Sequence, residues 1–265
     1  IKMFEQPNAV RDGVVDMVHT PGSFNGAAVP EIDAMVASTK NATEARANGG
    51  TAMMDAAHQK RFNVKYLAWI DSGVGFNIFT VNEPKFRSSD GVLDMSGVKM
   101  RDNPIYTAFL KSLEATTSPM PSTEVYGALE KGVIDAAPWT TIGITDLKWN
   151  KFLNYMVEPS FYSTDLGIIV NLDRWNGLSA EAKAILQDVA IEWEQKSHND
   201  RKADISKYKA AYKEGGMDFV SHSDSGGANY LKLAYDSVWA RATERMTDKG
   251  DGGDVAKLRA LYAPE

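Results

Sequence analysis

Two segments half a chain apart share the pattern of a helix end, a glycine, a short apolar run and an aspartate. Residues 9–18 read AVRDGVVDMV, and residues 128–137 read ALEKGVIDAA. A glycine just after a helix favours the left-handed cap that other residues adopt only at a cost. The β-branched pairs that follow favour a buried strand. The repeat predicts one βαβ-type unit used twice, once in each of two lobes. The pattern leaves one alternative open, which is chance recurrence of a junction common in α/β proteins.

The composition is that of a globular chain with enough core for one large or two modest domains, since 43% of its 265 residues are hydrophobic and 24% are charged. The net charge of −6 argues against nucleic acid as a partner, because phosphate binding needs a basic face. The absence of cysteine excludes disulfides, thiolate metal sites and cysteine nucleophiles. It fits an exported protein, as it fits many cytosolic ones. No run approaches the ~20 apolar residues of a membrane-spanning helix.

The longest predicted element is a helix over residues 179–214, with Ser179 as its N-cap and Gly215 after its end. Such a helix extends roughly 50 Å at 1.5 Å per residue. Its polar second half is typical of a helix that connects two domains. Two helices broken near His198 are the alternative. One apolar face of its first half is predicted to be buried: Ile185, Val189 and Trp193.

The rest of the chain alternates between strand-like and helix-like segments. The predicted strands are 1–4, 14–20, 64–70, 77–81, 98–101, 165–171 and 217–220. The other predicted helices are 41–62, 105–114, one that Ser122 or Thr123 caps, 227–249 and 255–262.

Signatures of enzymes are absent. No phosphate-binding glycine loop, dinucleotide-binding motif or nucleophile elbow occurs in the sequence. None of the four histidines has a partner at metal-ligand spacing: His19, His58, His198 and His222. Asp16 and Asp135 could form a carboxylate pair, but each is more typical of a residue that accepts backbone hydrogen bonds at a strand end. A binding protein is therefore favoured over an enzyme.

Three runs carry a resemblance to a known family. Residues 93–115 read LDMSGVKMRDNPIYTAFLKSLEA, residues 118–137 read SPMPSTEVYGALEKGVIDAA, and residues 172–190 read LDRWNGLSAEAKAILQDVA. The first two match a "dl.GlkiR" strand and an "evy.AL..GvvDg" helix and turn, and the third matches the entry into a long helix. From Asn8 onward the chain resembles the solute-binding subunits of TRAP transporters, the DctP family.

The resemblance implies an α/β fold of the two-lobed periplasmic-binding-protein (flytrap) type, with the long helix 179–214 spanning both lobes. Lobe I would comprise residues 1–74 and 165–205, and lobe II residues 75–164 and 206–265. Family members carry a further strand and helix before the matched segment, and a turn and helix before residues 9–18. We therefore expect lobe I to lack its N-terminal part, and residues to be missing between Pro7 and Asn8.

The resemblance also implies a site. The arginine of the "GlkiR" strand holds the ligand's carboxylate in the family, and Arg101 stands at that position. A guanidinium meets a carboxylate with two parallel hydrogen bonds and stays charged when water is expelled. Trp139 stands at a ligand-contacting position where sialic-acid binders have asparagine, which argues against a sugar acid. Pro138 replaces the glutamate of members that bind keto acids with a divalent ion, which argues against a metal.

The other expected ligand contacts follow from the same comparison, with core packing as the alternative for each aromatic ring. They are Phe76, Asn77, His19, Thr20, Phe24, Phe161 and Tyr162. Together they predict a small cleft that is apolar on one side.

The function implied is that of a periplasmic receptor which binds a small organic acid between two lobes and delivers it to the permease subunits of a TRAP transporter. No catalysis and no cofactor are expected, and a monomer is favoured over a dimer. An ABC-type or sensor-linked receptor of the same architecture is the alternative. An enzyme of the lyase or transferase type, built on similar lobes, is the rival from another class.

Overall fold

A computed structural model describes residues 1–263 of the chain. Its strands are β1 (Met17–Pro21), β2 (Val64–Trp69), β3 (Phe76–Thr80), β4 (Lys85–Phe86), β5 (Leu93–Asp94), β6 (Lys99–Asp102), β7 (Thr116–Pro119), β8 (Ala136–Thr140), β9 (Tyr155–Glu158), β10 (Leu166–Asn171) and β11 (Asp218–Ser221). Its α-helices are α1 (Gln6–Arg11), α2 (Ile32–Val36), α3 (Ala42–Ala47), α4 (Gly50–Phe62), α5 (Thr107–Ser112), α6 (Ser122–Glu130), α7 (Leu172–Gly177), α8 (Ala180–Glu214), α9 (Asp224–Asp248) and α10 (Val255–Tyr262). Short 3-10 helices cover Met3–Glu5, Gly22–Asn25, Trp149–Lys151 and Gly252–Asp254.

These elements form two compact units. Unit 1 consists of Ile1–Gly73, Ser163–Lys202 and the segment from Trp239 onward, and unit 2 consists of Val74–Tyr162 and Ala203–Val238. Helix α8 runs unbroken for 35 residues and contributes residues to both units. The long helix is therefore confirmed, and the alternative of a break near His198 is wrong.

Unit 1 contains a three-stranded sheet in the order β1–β10–β2, with both pairs antiparallel. Strand β2 is buried along most of its length because α4 packs against it. Gly167 on β10 is required by this packing, since a Cβ atom there would come within 2.7 Å of the Tyr66 ring.

Unit 2 contains a six-stranded mixed sheet in the order β11–β9–β3–β8–β6–β7. Strand β6 pairs in parallel with β7 and with β8, so β6–α5–β7–α6–β8 is a run of crossover connections of the βαβ kind. Strand β3 is antiparallel to both of its neighbours, β8 and β9. A hydrophobic core lies under α6 and the end of α8, and its largest members are Phe79, Trp149 and Tyr212.

The sequence repeat corresponds to the same helix end in each unit. After α1, Gly13 has φ +70°, its N–H donates to Val10 O at 3.1 Å, and Val14 N–H donates to Ala9 O at 2.9 Å. The second copy repeats these features at matching positions: Gly132 with φ +63°, Gly132 N to Leu129 O at 3.0 Å, and Val133 N to Ala128 O at 2.8 Å. Both are Schellman caps, in which a left-handed glycine satisfies the last helical carbonyls.

The strands after these two caps differ, which corrects the expected use of one βαβ unit twice. Strand β8 follows α6 and pairs in parallel with β6, whereas β1 follows α1 and pairs antiparallel with β10. Residues 1–4, expected to form a strand, lead instead into the 3-10 helix Met3–Glu5. Within the part of the chain that the structure describes, no strand therefore precedes α1.

Helix α1 includes Pro7 and Asn8, with proline in the first turn where no N–H is needed, and the expected absence of residues between them stays a prediction. Two local expectations near the N-terminus change. The predicted strand 14–20 begins later, at Met17. The predicted helix 41–62 is divided into α3 and α4 at Gly49, whose φ of +92° no helix accommodates.

The C-terminal segment belongs to unit 1, whereas the sequence placed residues 206–265 together in lobe II. The Arg241 guanidinium donates to both carboxylate oxygens of Asp33 on α2, at 2.9 and 2.6 Å. Tyr262 is buried, and its carbonyl accepts a hydrogen bond from Thr39 N–H at 3.0 Å. These contacts lie far apart in sequence, so no local pattern signals them. The other expected boundaries, at 74, 165 and 205, fall close to the observed divisions.

Helix α8 buries a different face from the one predicted. Ser179 does cap it, because its Oγ accepts a hydrogen bond from Ala182 N–H at 3.1 Å. The apolar stripe of its first half is largely exposed: Ile185 by 56%, Val189 by 46% and Trp193 by 47%. The buried positions are instead Ala190, Glu194 and Ser197. At α6 the N-cap is Pro121, without a side-chain bond, rather than Ser122 or Thr123.

Two buried groups in unit 1 have pKa values shifted in opposite directions. His58 on α4 donates from Nδ1 to Met54 O at 2.9 Å, while its Nε2 has no hydrogen-bond partner among the described residues. Burial lowers the pKa of His58 from 6.5 to about 4. Asp165 accepts a hydrogen bond from Ser23 N–H at 2.6 Å, and burial raises its pKa from 3.8 to about 6.

These shifts predict opposite pH dependences that offset each other. The stability that neutral His58 contributes is lost as the pH falls from 6.5 towards 4, because the unfolded chain then binds the extra proton. The stability that protonated Asp165 contributes is lost as the pH rises from 3.8 towards 6. At about 1.4 kcal/mol per pKa unit, each contribution is about 3 kcal/mol.

Urea unfolding at intervals from pH 4 to 6.5 checks this. Relative to wild type, Asp165→Asn is expected to lose about 2 kcal/mol more between pH 6.5 and pH 4, and His58→Phe about 2 kcal/mol less. If acidification changed the free energy of unfolding of both variants in the same direction relative to wild type, the two groups would not have opposite pH dependences.

Candidate functional site

Arg101 lies on β6, inside the sheet of unit 2, and its side chain is almost fully buried, at 1% exposure. Its Nε donates to Met120 O at 3.2 Å, and its Nη1 donates to Pro138 O at 3.3 Å. Its Nη2 is buried and has no hydrogen-bond partner among the described residues. No ion pair joins this guanidinium to a carboxylate in the part of the chain that the structure describes.

Two aromatic rings flank the guanidinium. Its central carbon lies 5.4 Å from the ring centre of Trp139 and 5.7 Å from that of Tyr106. At these distances the negative ring faces attract the cation. Burial lowers the pKa of Arg101, and the neighbouring Tyr106 hydroxyl and Asp102 carboxylate oppose this. Arginine nevertheless remains protonated in proteins. The site thus presents one guanidinium nitrogen with an unused donor between two rings.

Trp139 and Phe76 extend this aromatic surface. Trp139 on β8 is half-buried and packs edge-to-face on Trp149, with ring centres 4.9 Å apart. Phe76 on β3 is buried and packs edge-to-face on Tyr106 at 5.1 Å. The strands explain the grouping, because β8 lies between β3 and β6 in the sheet.

Asn77 is placed beside this group but is already engaged. It pairs with Trp139 across β3 and β8 and is fully buried. Its Nδ2 donates to Val157 O at 2.8 Å, and its Oδ1 accepts from the Thr141 hydroxyl at 2.7 Å. These bonds tie β3 to β9 and to the end of β8. We therefore expect Asn77 to position the strands rather than to contact a ligand.

This assignment predicts a stability effect. Asn77→Leu is expected to lower the free energy of unfolding by about 1–3 kcal/mol, because it leaves a carbonyl and a hydroxyl without their buried partner. Asn154→Leu is the matched control, since Asn154 is an exposed asparagine whose Nδ2 donates to Val81 O. Urea unfolding and calorimetric titration of both variants decide the role. An Asn77→Leu protein as stable as the control but with a lost ligand affinity would show that Asn77 contacts the ligand.

Phe161 and Tyr162 belong to the core of unit 2. Phe161 exchanges two backbone hydrogen bonds with Phe76, both of 2.8 Å, and its ring packs on Phe109 at 4.8 Å. The Tyr162 hydroxyl donates to Ala234 O at 3.1 Å and lies 3.2 Å from Ser237 Oγ. The core-packing alternative therefore describes these two rings, and they enter the candidate site only through the backbone pairing with Phe76.

The three remaining candidates lie in unit 1. His19 on β1 is exposed, Thr20 is buried with its Oγ1 unpaired within residues 1–263, and Phe24 packs edge-to-face on Phe4 at 4.8 Å. The turn after β1 contains two more buried polar side chains. Ser23 Oγ and Asn25 Nδ2 are also buried without a hydrogen-bond partner among the residues described.

Sequence reasoning missed part of the Arg101 environment. Tyr106 stands five residues after the arginine, in a segment predicted only as helix, and no motif marked it. The carbonyls of Met120 and Pro138 are backbone groups, whose availability no sequence pattern signals. Among the described residues, no group of three or more His, Cys, Asp or Glu side chains could hold a metal ion.

Comparison with known families gives a match over most of the chain. The model of the family described as "DctP: Bacterial extracellular solute-binding protein, family 7" matches residues 3–244. The monocarboxylate 2-oxoacid-binding periplasmic protein of Nostoc sp. is 32% identical over 38% of this chain and 29% of its own length. The C4-dicarboxylate-binding periplasmic protein DctP of Rhodobacter capsulatus is 27% identical over 74% of this chain. This chain spans 57% of that relative.

A solved structure shares the fold. It is a marine-metagenome TRAP solute-binding protein specific for aromatic acid ligands, crystallised with 3-hydroxybenzoate. It matches with a TM-score of 0.80 at 24% identity, over 98% of this chain and 83% of its own.

Proposed function

The chain belongs to the DctP family of bacterial extracellular solute-binding proteins (family 7), and from that premise we propose that it is the solute receptor of a TRAP transporter, which binds a small organic acid through Arg101. It acts in the periplasm and passes the bound acid unchanged to the membrane permease subunits. The relatives described above are periplasmic binding proteins by name, which supports this location. None of the helices within residues 1–263 is long and apolar enough to cross a membrane.

The observation that carries the proposal is the unused donor of a buried guanidinium. Removing an isolated charge from water is costly, and buried charges in proteins are normally paired. Two nitrogens of Arg101 donate hydrogen bonds to backbone carbonyls, and none donates to a carboxylate among the described residues. An anionic ligand that reaches Nη2 would supply the missing counter-charge through a charge-assisted hydrogen bond.

The relatives support a carboxylate as that anion. One is named for monocarboxylate 2-oxoacids, another for C4-dicarboxylates, and the similar structure holds 3-hydroxybenzoate. These ligands differ in size, ring content and number of acid groups, and they share a carboxylate. A guanidinium is the side chain best suited to bind this group.

Matched pairs of acids and their primary amides test the proposal by thermal shift. The pairs are succinate with succinamide, lactate with lactamide, and benzoate with benzamide. Within each pair a charged carboxylate is replaced by a neutral amide of similar shape. An acid that binds is expected to raise the melting temperature in proportion to RT ln(1 + [L]/Kd), whereas its amide is expected to leave it unchanged. Equal shifts for an acid and its amide would contradict recognition of a carboxylate.

The fate of the ligand separates a receptor from an enzyme. After incubation with the protein, the best acid from the screen is expected to be recovered unchanged by NMR. Conversion of that acid would favour the lyase or transferase alternative. Uptake of the labelled acid by vesicles that contain a TRAP permease, dependent on added receptor, tests the delivery step.

A further inference from the structure

Polar side chains on the segments around Arg101 are already hydrogen-bonded within unit 2. Asn77 is held by Val157 O and by Thr141, and the Thr141 hydroxyl also lies 3.1 Å from Gly75 O. The Asp102 carboxylate accepts from Asn103 N–H at 2.7 Å and from the Thr107 hydroxyl at 3.0 Å. A ligand rich in hydroxyl groups would therefore have to break these hydrogen bonds or leave its own hydroxyl groups without partners. Either outcome weakens binding of such a ligand.

The surface around the guanidinium is aromatic instead. Trp139 and Tyr106 face the guanidinium, Phe76 packs on Tyr106, and the buried Trp149 packs edge-to-face on Trp139. Trp139 is the one partly exposed ring of these four, so it is the ring with surface left for a ligand to pack against. Flat rings gain about 0.5–1.5 kcal/mol beyond area burial when they stack in offset or edge-to-face geometry.

The number of cationic donors limits the acid groups that the site can neutralise. One guanidinium nitrogen of Arg101 is unused. A second carboxylate held nearby would face aromatic rings, whose faces repel an anion because they carry negative charge density. The observations favour a ligand with one carboxylate.

We propose that the Arg101 subsite of unit 2 takes a monocarboxylate with a flat apolar body, of the aryl or arylalkyl acid class, in which the carboxylate meets Nη2 and the ring stacks on Trp139. This rests on the proposed receptor function and specifies its substrate class. Polyhydroxylated sugar acids and dicarboxylates are the classes that it rejects.

Calorimetric titration with four probes tests the class: phenylacetate, cyclohexylacetate, succinate and galacturonate. Phenylacetate is expected to bind at least tenfold more tightly than succinate and galacturonate, and several-fold more tightly than the non-planar cyclohexylacetate. Tightest binding of succinate or galacturonate would overturn the substrate class while leaving the receptor function intact. Binding of none of the acids, here and in the screen of acid–amide pairs, would overturn both.

Trp139→Leu tests the stacking partner, and Trp193→Leu is the matched control on an exposed tryptophan of unit 1. Trp139→Leu is expected to reduce the affinity for phenylacetate at least fivefold and the affinity for cyclohexylacetate less than twofold. Trp193→Leu is expected to leave both affinities unchanged. A loss of equal size for both acids would show that Trp139 maintains the site without stacking on the ligand. Far-UV circular dichroism verifies that both variants are folded.

Discussion

Replacing Arg101 by methionine is expected to weaken binding of the best carboxylate by about 30-fold to several-thousand-fold. Truncating one partner of a buried, hydrogen-bonded charge pair costs about 2–5 kcal/mol, and every 1.4 kcal/mol is about tenfold in affinity. Methionine keeps an unbranched apolar stem in the same buried position on β6. Calorimetric titration of the wild type and the variant measures the loss.

The same substitution is expected to leave the ligand-free protein about as stable as before, within about 1 kcal/mol in urea unfolding. Arg101 is desolvated, its Nη2 bond is unmade, and its two hydrogen bonds are long, at 3.2 and 3.3 Å. Replacing a buried charge by an apolar side chain of similar volume is often neutral or stabilising. Loss of affinity without loss of stability is the signature of a residue kept for ligand binding.

Two further variants complete this test. Arg101→Lys keeps the charge but not the planar fork, so an intermediate loss of affinity is expected. Arg87→Met removes an arginine of the same unit whose guanidinium is paired with Asp90, and its affinity should stay within about twofold of wild type. If Arg101→Met bound the acid as tightly as Arg87→Met does, the anchoring role would be wrong.

Local signals in the sequence predicted much of the fold. Gly13 and Gly132 each follow a helix and adopt a positive φ, because the left-handed cap is a requirement of the few residues around it. Ser179 likewise caps α8 through a bond to a residue three positions later. Such features depend on short stretches of chain, and short stretches are visible in one sequence.

Features that depend on distant partners were not predicted. The segment from Trp239 onward belongs to unit 1 because Arg241 binds Asp33, and no periodicity reports a pair so far apart in the chain. The candidate site also contains both kinds of feature, those marked by a local motif and those that depend on distant partners. Arg101 and Trp139 were predicted as ligand contacts from a family motif, whereas the hydrogen bonds of Asn77 to Val157 and Thr141 depend on how three strands align.

The exposed stripe of α8 is the clearest case of a misleading local signal. Hydrophobic spacing favoured burial of Trp193, yet the buried residue is the next one, Glu194, which bonds to the sheet of unit 1. Its Oε1 accepts from Trp69 N–H on β2 at 2.9 Å. Its two oxygens also accept from Nη2 and Nε of Arg46, at 2.8 and 2.7 Å. A glutamate that accepts three strong hydrogen bonds can be buried, although glutamate rarely is.

Replacing Glu194 by alanine is therefore expected to lower the free energy of unfolding by about 3–5 kcal/mol. Breaking a buried ion pair by removing one partner costs this much, since the other charge and the Trp69 N–H lose their acceptor. Glu194→Gln retains one carbonyl oxygen for the Trp69 N–H, so we expect a smaller cost, about half as large. Urea unfolding of the ligand-free protein at neutral pH measures both.

Trp193→Ala is the control that makes this result decisive, because it alters the neighbouring residue of the same helix. With its side chain about half exposed, the tryptophan is expected to contribute about 1 kcal/mol or less. A glutamate would then matter more than the adjacent tryptophan, the reverse of what hydrophobicity alone predicts. If Trp193→Ala proved as costly as Glu194→Ala, the helix would bury the face that the sequence favours. The orientation of α8 described above would then be wrong.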